Sequence, residues 1–108
     1  MLTVIRHTYY GGRSMSDARL LVLVSLSDGP RHGYAIQQDI AAFAGVHLGP
    51  GTLYGAINSL ERDQLIERLP AAERRHPYRL TSQGRRELRQ QLQALDRIRA
   101  RTTAVKLA

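Results

Sequence analysis

Apolar positions along the chain fall into runs with two different periods. Between Leu20 and Leu26 nearly every residue is apolar (Leu20, Leu21, Leu23, Val24, Leu26), which suits a helix buried on most sides. Ser16 is placed as its N-cap, Asp17 lies in its first turn, and Asp28-Gly29-Pro30 stops it, so a first helix is predicted over residues 17–27. Ile36, Ile40 and Phe43 then recur at i, i+4 and i+7, predicting a second helix over residues 32–44 that Gly45 closes. A short turn, HLGPGT, leads into a third stripe of Leu53, Ile57 and Leu60, with Thr52 as the expected N-cap. After Leu60 the period changes. LIERL (65–69) and YRLT (78–81) alternate as strands do, around a loop, PAAERRHP, bounded by Pro70 and Pro77. From Ser82 the helical period returns, with Leu88, Leu92, Leu95, Ile98 and Val105 on one stripe among Arg and Gln.

Two helices joined by a short Gly-containing turn form a helix-turn-helix, and a basic-tipped hairpin after it makes a winged helix. The expected fold class is therefore mainly α with a small β-hairpin wing (α+β). Residues 1–14 have no sustained period and are read as an N-terminal extension or arm, with Tyr9-Tyr10 as arm packing. Residues 15–81 form the winged helix-turn-helix domain and residues 82–108 a long C-terminal dimerisation helix. The Leu88, Leu92, Leu95 and Ile98 stripe has no obvious partner within so small a chain, so it is expected to meet a second subunit.

Composition narrows the function. At 108 residues the chain is one domain, marginal without a partner. With no cysteine, disulfide scaffolds, thiol catalysis and Cys-ligated zinc are excluded. No apolar run is long enough to span a membrane and no signal-peptide core is visible, so a cytoplasmic protein without a membrane partner is expected. The net charge of +7 is uneven: residues 1–60 carry +1 and residues 61–108 carry +6. A basic half fits a polyanionic partner such as nucleic acid, or a solvated face in a chain that prefers arginine. Charge alone leaves both open.

The start of the third helix bears on the choice only when joined to the elements around it. In a helix-turn-helix the second helix enters the major groove with its N-terminal turns, which need small residues and free amides near phosphate. Gly51 and Gly55 supply closeness, Thr52 a hydroxyl, and Tyr54 a phenol with an apolar body. Asn58, one turn on, suits an adenine edge. An ordinary capped core helix with a half-buried Tyr54 is the alternative; the preceding helix, the wing and the charge favour double-stranded DNA. At the wing tip, Glu73-Arg74-Arg75-His76 fits phosphate or the minor groove better than a solvated loop. Tyr34 and Arg79 complete the set of expected DNA contacts, Tyr34 against the alternative of plain helix packing. The four histidines are far apart without ligand spacing, so no metal is expected. No nucleophile elbow, phosphate loop or paired carboxylates appear, so neither an enzyme nor a cofactor is expected.

Three ordered motifs, HGYAI (32–36), GTLYGAINSLERDQLIE (51–67) and YRLTSQGRREL (78–88), resemble the signatures of PadR-type winged-helix transcriptional regulators. The similarity covers residues 17–95 and matches the short subgroup with a single C-terminal helix. The resemblance implies a dimeric DNA-binding repressor whose long C-terminal helix makes most of the dimer contact. By the same resemblance Tyr34, Thr52 and Tyr54 lie near the DNA backbone. Two positions depart from the family pattern: Gly55 follows TLY in place of Pro or a basic residue, and His76-Pro77 precede YRLT in place of basic and aromatic residues. Both bear on operator sequence rather than on fold. The expected function is a sequence-specific homodimeric repressor on a palindromic operator. Any effector is expected to be small and aromatic or hydrophobic, although no Trp and one Phe disfavour an aromatic sandwich at the dimer centre. The alternative is a winged helix used for protein–protein or RNA interaction, which a reduced wing or an acidic recognition helix would favour. Glu61 and Asp63 do lie on that helix, but at its far end.

Overall fold

A computed structural model of the chain describes residues 15–71 and 74–102. The N-terminal arm with Tyr9-Tyr10, the wing residue Glu73 and the stripe residue Val105 lie outside the described residues. Among the described residues, four helices and three strands follow in the order α1 (Met15–Ser25), β1 (Arg31–His32), α2 (Gly33–Ala44), α3 (Pro50–Arg62), β2 (Ile66–Arg68), β3 (Pro77–Leu80) and α4 (Ser82–Arg101). The fold is mostly helical with one small antiparallel sheet, as expected.

Helix α1 is the centre of the core. Ala18, Val22, Leu23 and Leu26 are buried, with Leu20, Leu21 and Val24 packed partly against them. It already runs at Met15, so Ser16 lies inside the helix rather than at its cap. At the other end Arg31 closes it: the guanidinium donates to the Ser25 carbonyl and pairs with Asp28 at 2.6 Å. That hydrogen bond, with the charge behind it, holds the Asp28 carboxyl below the usual carboxylate range. Ser25, buried, donates to Asp39 of α2 at 2.8 Å and ties the two helices together.

Helix α2 buries Gly33, Ile36 and Ile40 and ends at Gly45, whose φ of 67° is the left-handed turn that favours glycine. Phe43 does not join that stripe. It is 46% exposed, because residues 41–45 run past the elements on which the helix packs. Helix α3 buries Leu53, Ala56, Ile57 and Leu60 against the core. Its N-cap is Gly49 and Pro50 occupies the first helical position, so Thr52 sits within the first turn rather than capping it. Proline's fixed φ and missing N–H suit that first position, which outweighs a hydroxyl two residues later.

The wing is a hairpin with one more strand than its sequence suggests. β2 and β3 pair antiparallel with Ile66 opposite Leu80 and Arg68 opposite Tyr78. β1 joins the other edge of β3, Arg31 opposite Tyr78 and His32 opposite Pro77, giving the order β1-β3-β2. Thr81 caps α4, its hydroxyl accepting from the Gly84 N–H at 2.9 Å. Gly84 lies against the Leu65 carbonyl, where a Cβ would have no room. Leu88 is buried in the chain's own core, which corrects its place in the intersubunit stripe. The open part of that stripe begins at Leu92.

Candidate nucleic-acid interface

The three-stranded pairing draws three distant segments around one cleft. β1 places His32 beside Pro77 and leads directly into α2, so Tyr34 emerges from the first turn of α2 next to the wing. The loop after β2 returns through Arg74, which adopts a left-handed φ of 75° and lets Arg75 and His76 close the loop onto β3. From the other side Tyr54, in the second turn of α3, leans across the start of α2. A Cβ at Gly33 would fall on the Tyr54 hydroxyl and ring edge, so the missing side chain there makes the room for it. The result is an open cleft of about 300 Å³ between α2, α3 and the wing.

Five of the expected contacts line this cleft: Tyr34, Tyr54, Arg74, Arg75 and His76. Both tyrosines are well exposed, Tyr34 at 59% and Tyr54 at 43%. The Tyr34 hydroxyl accepts from Gln38 at 2.9 Å, one turn along α2, which leaves its own proton free to donate outward. Among the described residues neither Arg74 nor Arg75 has a carboxylate within ion-pair distance. Arg75 Nη1 instead stands 3.4 Å from His32 Nε2, and His76 Nδ1 lies 3.3 Å from the Leu69 carbonyl oxygen. Phenolic donors, two open guanidinium groups and two imidazoles on one wall form a surface suited to an anion with several oxygen acceptors.

The other expected contacts are placed elsewhere. Gly51 and Thr52 open α3; with Leu53 N–H donating to Gly49 at 2.9 Å and Pro50 lacking a donor, their two amides are the ones left at the helix start. A Cβ at Gly51 would meet nothing, so the fold itself does not require glycine there. Gly55 is half-buried and Asn58 exposed, on the side of α3 away from the core. Arg79 does not face the cleft as an open charge. It is cross-strand from Glu67 and bonded to it, Nε at 2.8 Å and Nη2 at 2.7 Å from the same oxygen. Leu92, Leu95 and Ile98 are 42%, 46% and 62% exposed on α4, beyond its last buried residue, Leu88.

Besides Gly33, which makes room for Tyr54, two more cleft residues, His32 and Tyr78, are absent from the expected contacts. His32 caps α2 in extended conformation, and its part depends on the β1 pairing, which two residues are too few to announce. Tyr78 forms the floor: it is 8% exposed, burial pushes its phenol up, and the nearby Arg68, 5.9 Å from the ring centre, pulls the other way. The strand alternation of YRLT already points Tyr78 and Leu80 to one face, the signal by which Tyr78 is legible. Among the described residues no cluster of three or more His, Cys, Asp or Glu could hold a metal, and no helix is long and apolar enough to cross a membrane.

Comparison with known proteins places this arrangement. Residues 22–90 match the model of the transcriptional regulator PadR-like family. The transcriptional regulator Rv3488 of Mycobacterium tuberculosis is 32% identical over 83 residues, 74% of this chain and 77% of that protein. An uncharacterized 37.1 kDa protein in transposon TN4556 of Streptomyces fradiae is 44% identical over 86 residues, which are 80% of this chain. The chain spans only 25% of the length of that Streptomyces protein. The fold is shared with a PadR family transcription regulator from Clostridium difficile, at a TM-score of 0.74 with 24% identity, covering 81% of this chain and 95% of the other.

Proposed function

The chain belongs to the PadR-like family of transcriptional regulators, and from that premise we propose that it is a sequence-specific repressor of the short subgroup, binding a palindromic DNA operator as a homodimer. One observation carries the reading: two exposed arginines with no acidic partner among the described residues and two exposed tyrosines converge on a cleft beside the N-terminal turns of α3. Arg74 and Arg75 on the wing meet phosphate, as do the phenols of Tyr34 and Tyr54. The amides of Gly51 and Thr52 bring the positive end of α3 to the same backbone. Gly55 and Asn58 face the base edges, and Asn58 pairs with adenine. Arg79, held by Glu67, is withdrawn from this set, and His76 adds a polar donor to the wing tip.

The exposed stripe of α4 supports the homodimer. Leu92, Leu95 and Ile98 stand one helical turn apart on a segment that leaves the core after Leu88, and pairing two such segments removes three large apolar side chains per chain from water. Two-fold pairing of identical reading heads sets two half-sites in opposite orientation, hence the palindrome. An effector, where one acts, reaches the operator through this dimer contact by shifting the spacing of the two heads.

The test is titration of labelled duplex DNA, and of a structured RNA of equal length, over a series of salt concentrations. Duplex binding that weakens linearly on a log–log salt plot, and that exceeds RNA binding, supports the reading. RNA binding of equal strength favours a winged helix that reads phosphate geometry alone. Selection of a palindrome from a randomised duplex pool tests the operator symmetry.

A further inference from the structure

The outward face of α3 carries a cation that the cleft does not use. Leu53, Ala56, Ile57 and Leu60 fix one side of the helix to the core. Opposite them, at i, i+4, i+7 and i+11, stand Gly51, Gly55, Asn58 and Arg62. At roughly 100° per residue these four fall within about 60° of one another around the axis. Arg62 is exposed and, among the described residues, no carboxylate lies within ion-pair distance of it.

Its two acidic neighbours are occupied by other arginines. Glu61 accepts from Arg68 of β2 at 3.2 Å, and Asp63 pairs with Arg19 of α1 at 3.0 Å. Left open, those carboxylates would repel a polyanion from the far end of the reading helix. Paired, they leave Arg62 as the uncompensated charge of that turn.

Position gives this charge a target. Arg62 is eleven residues beyond Gly51, about 16 Å along the axis at 1.5 Å per residue. The major groove of B-form DNA is only about 12 Å wide. A helix that sets its first turn against one wall of the groove therefore brings its last turn to the other wall. We infer that Arg62 contacts a phosphate of the strand across the groove from the one met by the start of α3, with Asn58 between the two over the base edges. Arg62 would then fix the depth and tilt of the helix, and so the register in which Asn58 reads. The inference rests on the DNA-binding reading above.

The experiment measures duplex affinity against salt concentration for the wild type, Arg62→Ala, Arg62→Gln and Arg62→Lys. It uses a random-sequence duplex and a duplex that the protein selects from a randomised pool. Arg62→Ala and Arg62→Gln should each flatten the log–log slope by about one on both duplexes, which is roughly an eightfold loss near 0.1 M salt. Arg62→Lys should restore most of the loss, since a phosphate accepts a point charge. Glutamine is a good helix former, so it carries the comparison should the alanine variant melt early. A role limited to helix stability would lower the melting temperature and leave the slope unchanged, which would overturn the inference. So would a loss confined to the selected duplex that lysine fails to restore, the mark of guanine reading. If an Arg74→Ala, Arg75→Ala variant flattens the slope and the Arg62 variants do not, this inference falls and the DNA reading stands. A wild type with no salt-dependent duplex binding ends both.

Discussion

Replacing Gly33 by alanine isolates what Tyr54 does. The new methyl would fall on the Tyr54 hydroxyl and ring edge. Tyr54 is 43% exposed, so its ring can yield by changing rotamer while α2 stays in place. Fully burying a large apolar side chain is worth about 1.5–3 kcal/mol, so losing the covered half of this ring costs about 1 kcal/mol. Alanine's smaller unfolded-state entropy offsets about 0.4–1 kcal/mol of that. Stability should therefore change by less than about 1 kcal/mol, a shift of a few degrees in Tm. Binding should respond more clearly. A neutral hydrogen bond from the phenol to phosphate is worth about 0.5–1.5 kcal/mol net, which is roughly a two- to twelvefold loss of affinity. Tyr54→Ala should lose at least as much, and Gly33→Ala added to it should lose nothing further, because the ring it displaces is gone. Anisotropy titrations of the two single variants and the double variant complete the cycle, with melting curves alongside. Additive losses, or full affinity in Gly33→Ala beside weak binding in Tyr54→Ala, would refute the packing of Tyr54 over Gly33 as the positioning device.

The remaining predictions follow from the same contacts. Gly84→Ala, in a helix where glycine-to-alanine usually gains roughly 0.5–1 kcal/mol, should instead destabilise by about 1–3 kcal/mol in a denaturant melt. Its Cβ meets the Leu65 carbonyl, which already accepts from Thr81 N–H at 3.1 Å and cannot move aside. Asn58→Ala should leave the melting curve nearly unchanged and cost about 1–3 kcal/mol on a selected operator, with much less lost on random duplex. Ile57→Ala, one residue away and fully buried, should do the reverse, costing about 2–5 kcal/mol of stability. Leu92→Asp with Leu95→Asp should give a folded monomer by light scattering and circular dichroism, since both side chains are exposed in the single chain and the core ends at Leu88; an unchanged dimer would remove α4 from the interface.

What the sequence reveals here is set by how local the cause is. Helix α2 and the start of α4 are legible almost to the residue, because Gly45 and the Thr81-Ser82 step act within one turn of the ends they set. The wing is legible from alternation, including the face that Tyr78 and Leu80 share. β1 is not, since two residues show no period and their strand exists only through pairing with β3, more than forty residues later. Phe43 fits its helical stripe and is still exposed, because where a helix overhangs its neighbours is a property of the whole packing. Leu88 shows the opposite case: its stripe is right, but α4 lies on the core for two turns before it leaves. At the candidate interface, Gly33 and Tyr54 are each visible as motif residues, yet their dependence on each other appears only when α2 and α3 are brought together. The ion pairs that withdraw Arg79 and neutralise Glu61 and Asp63 are likewise three-dimensional facts.

The most direct test of the central claim is the salt dependence of duplex binding by the wild type and by an Arg74→Ala, Arg75→Ala variant. Both arginines are exposed, both lack an acidic partner among the described residues, and neither supports the core. The account predicts equal melting curves, weaker binding to operator and random duplex alike, and a log–log slope flatter by about two, one for each lost phosphate contact. An unchanged slope with unchanged affinity would mean that the wing tip is a solvated loop and that the cleft between α2, α3 and the wing is not where this protein holds DNA.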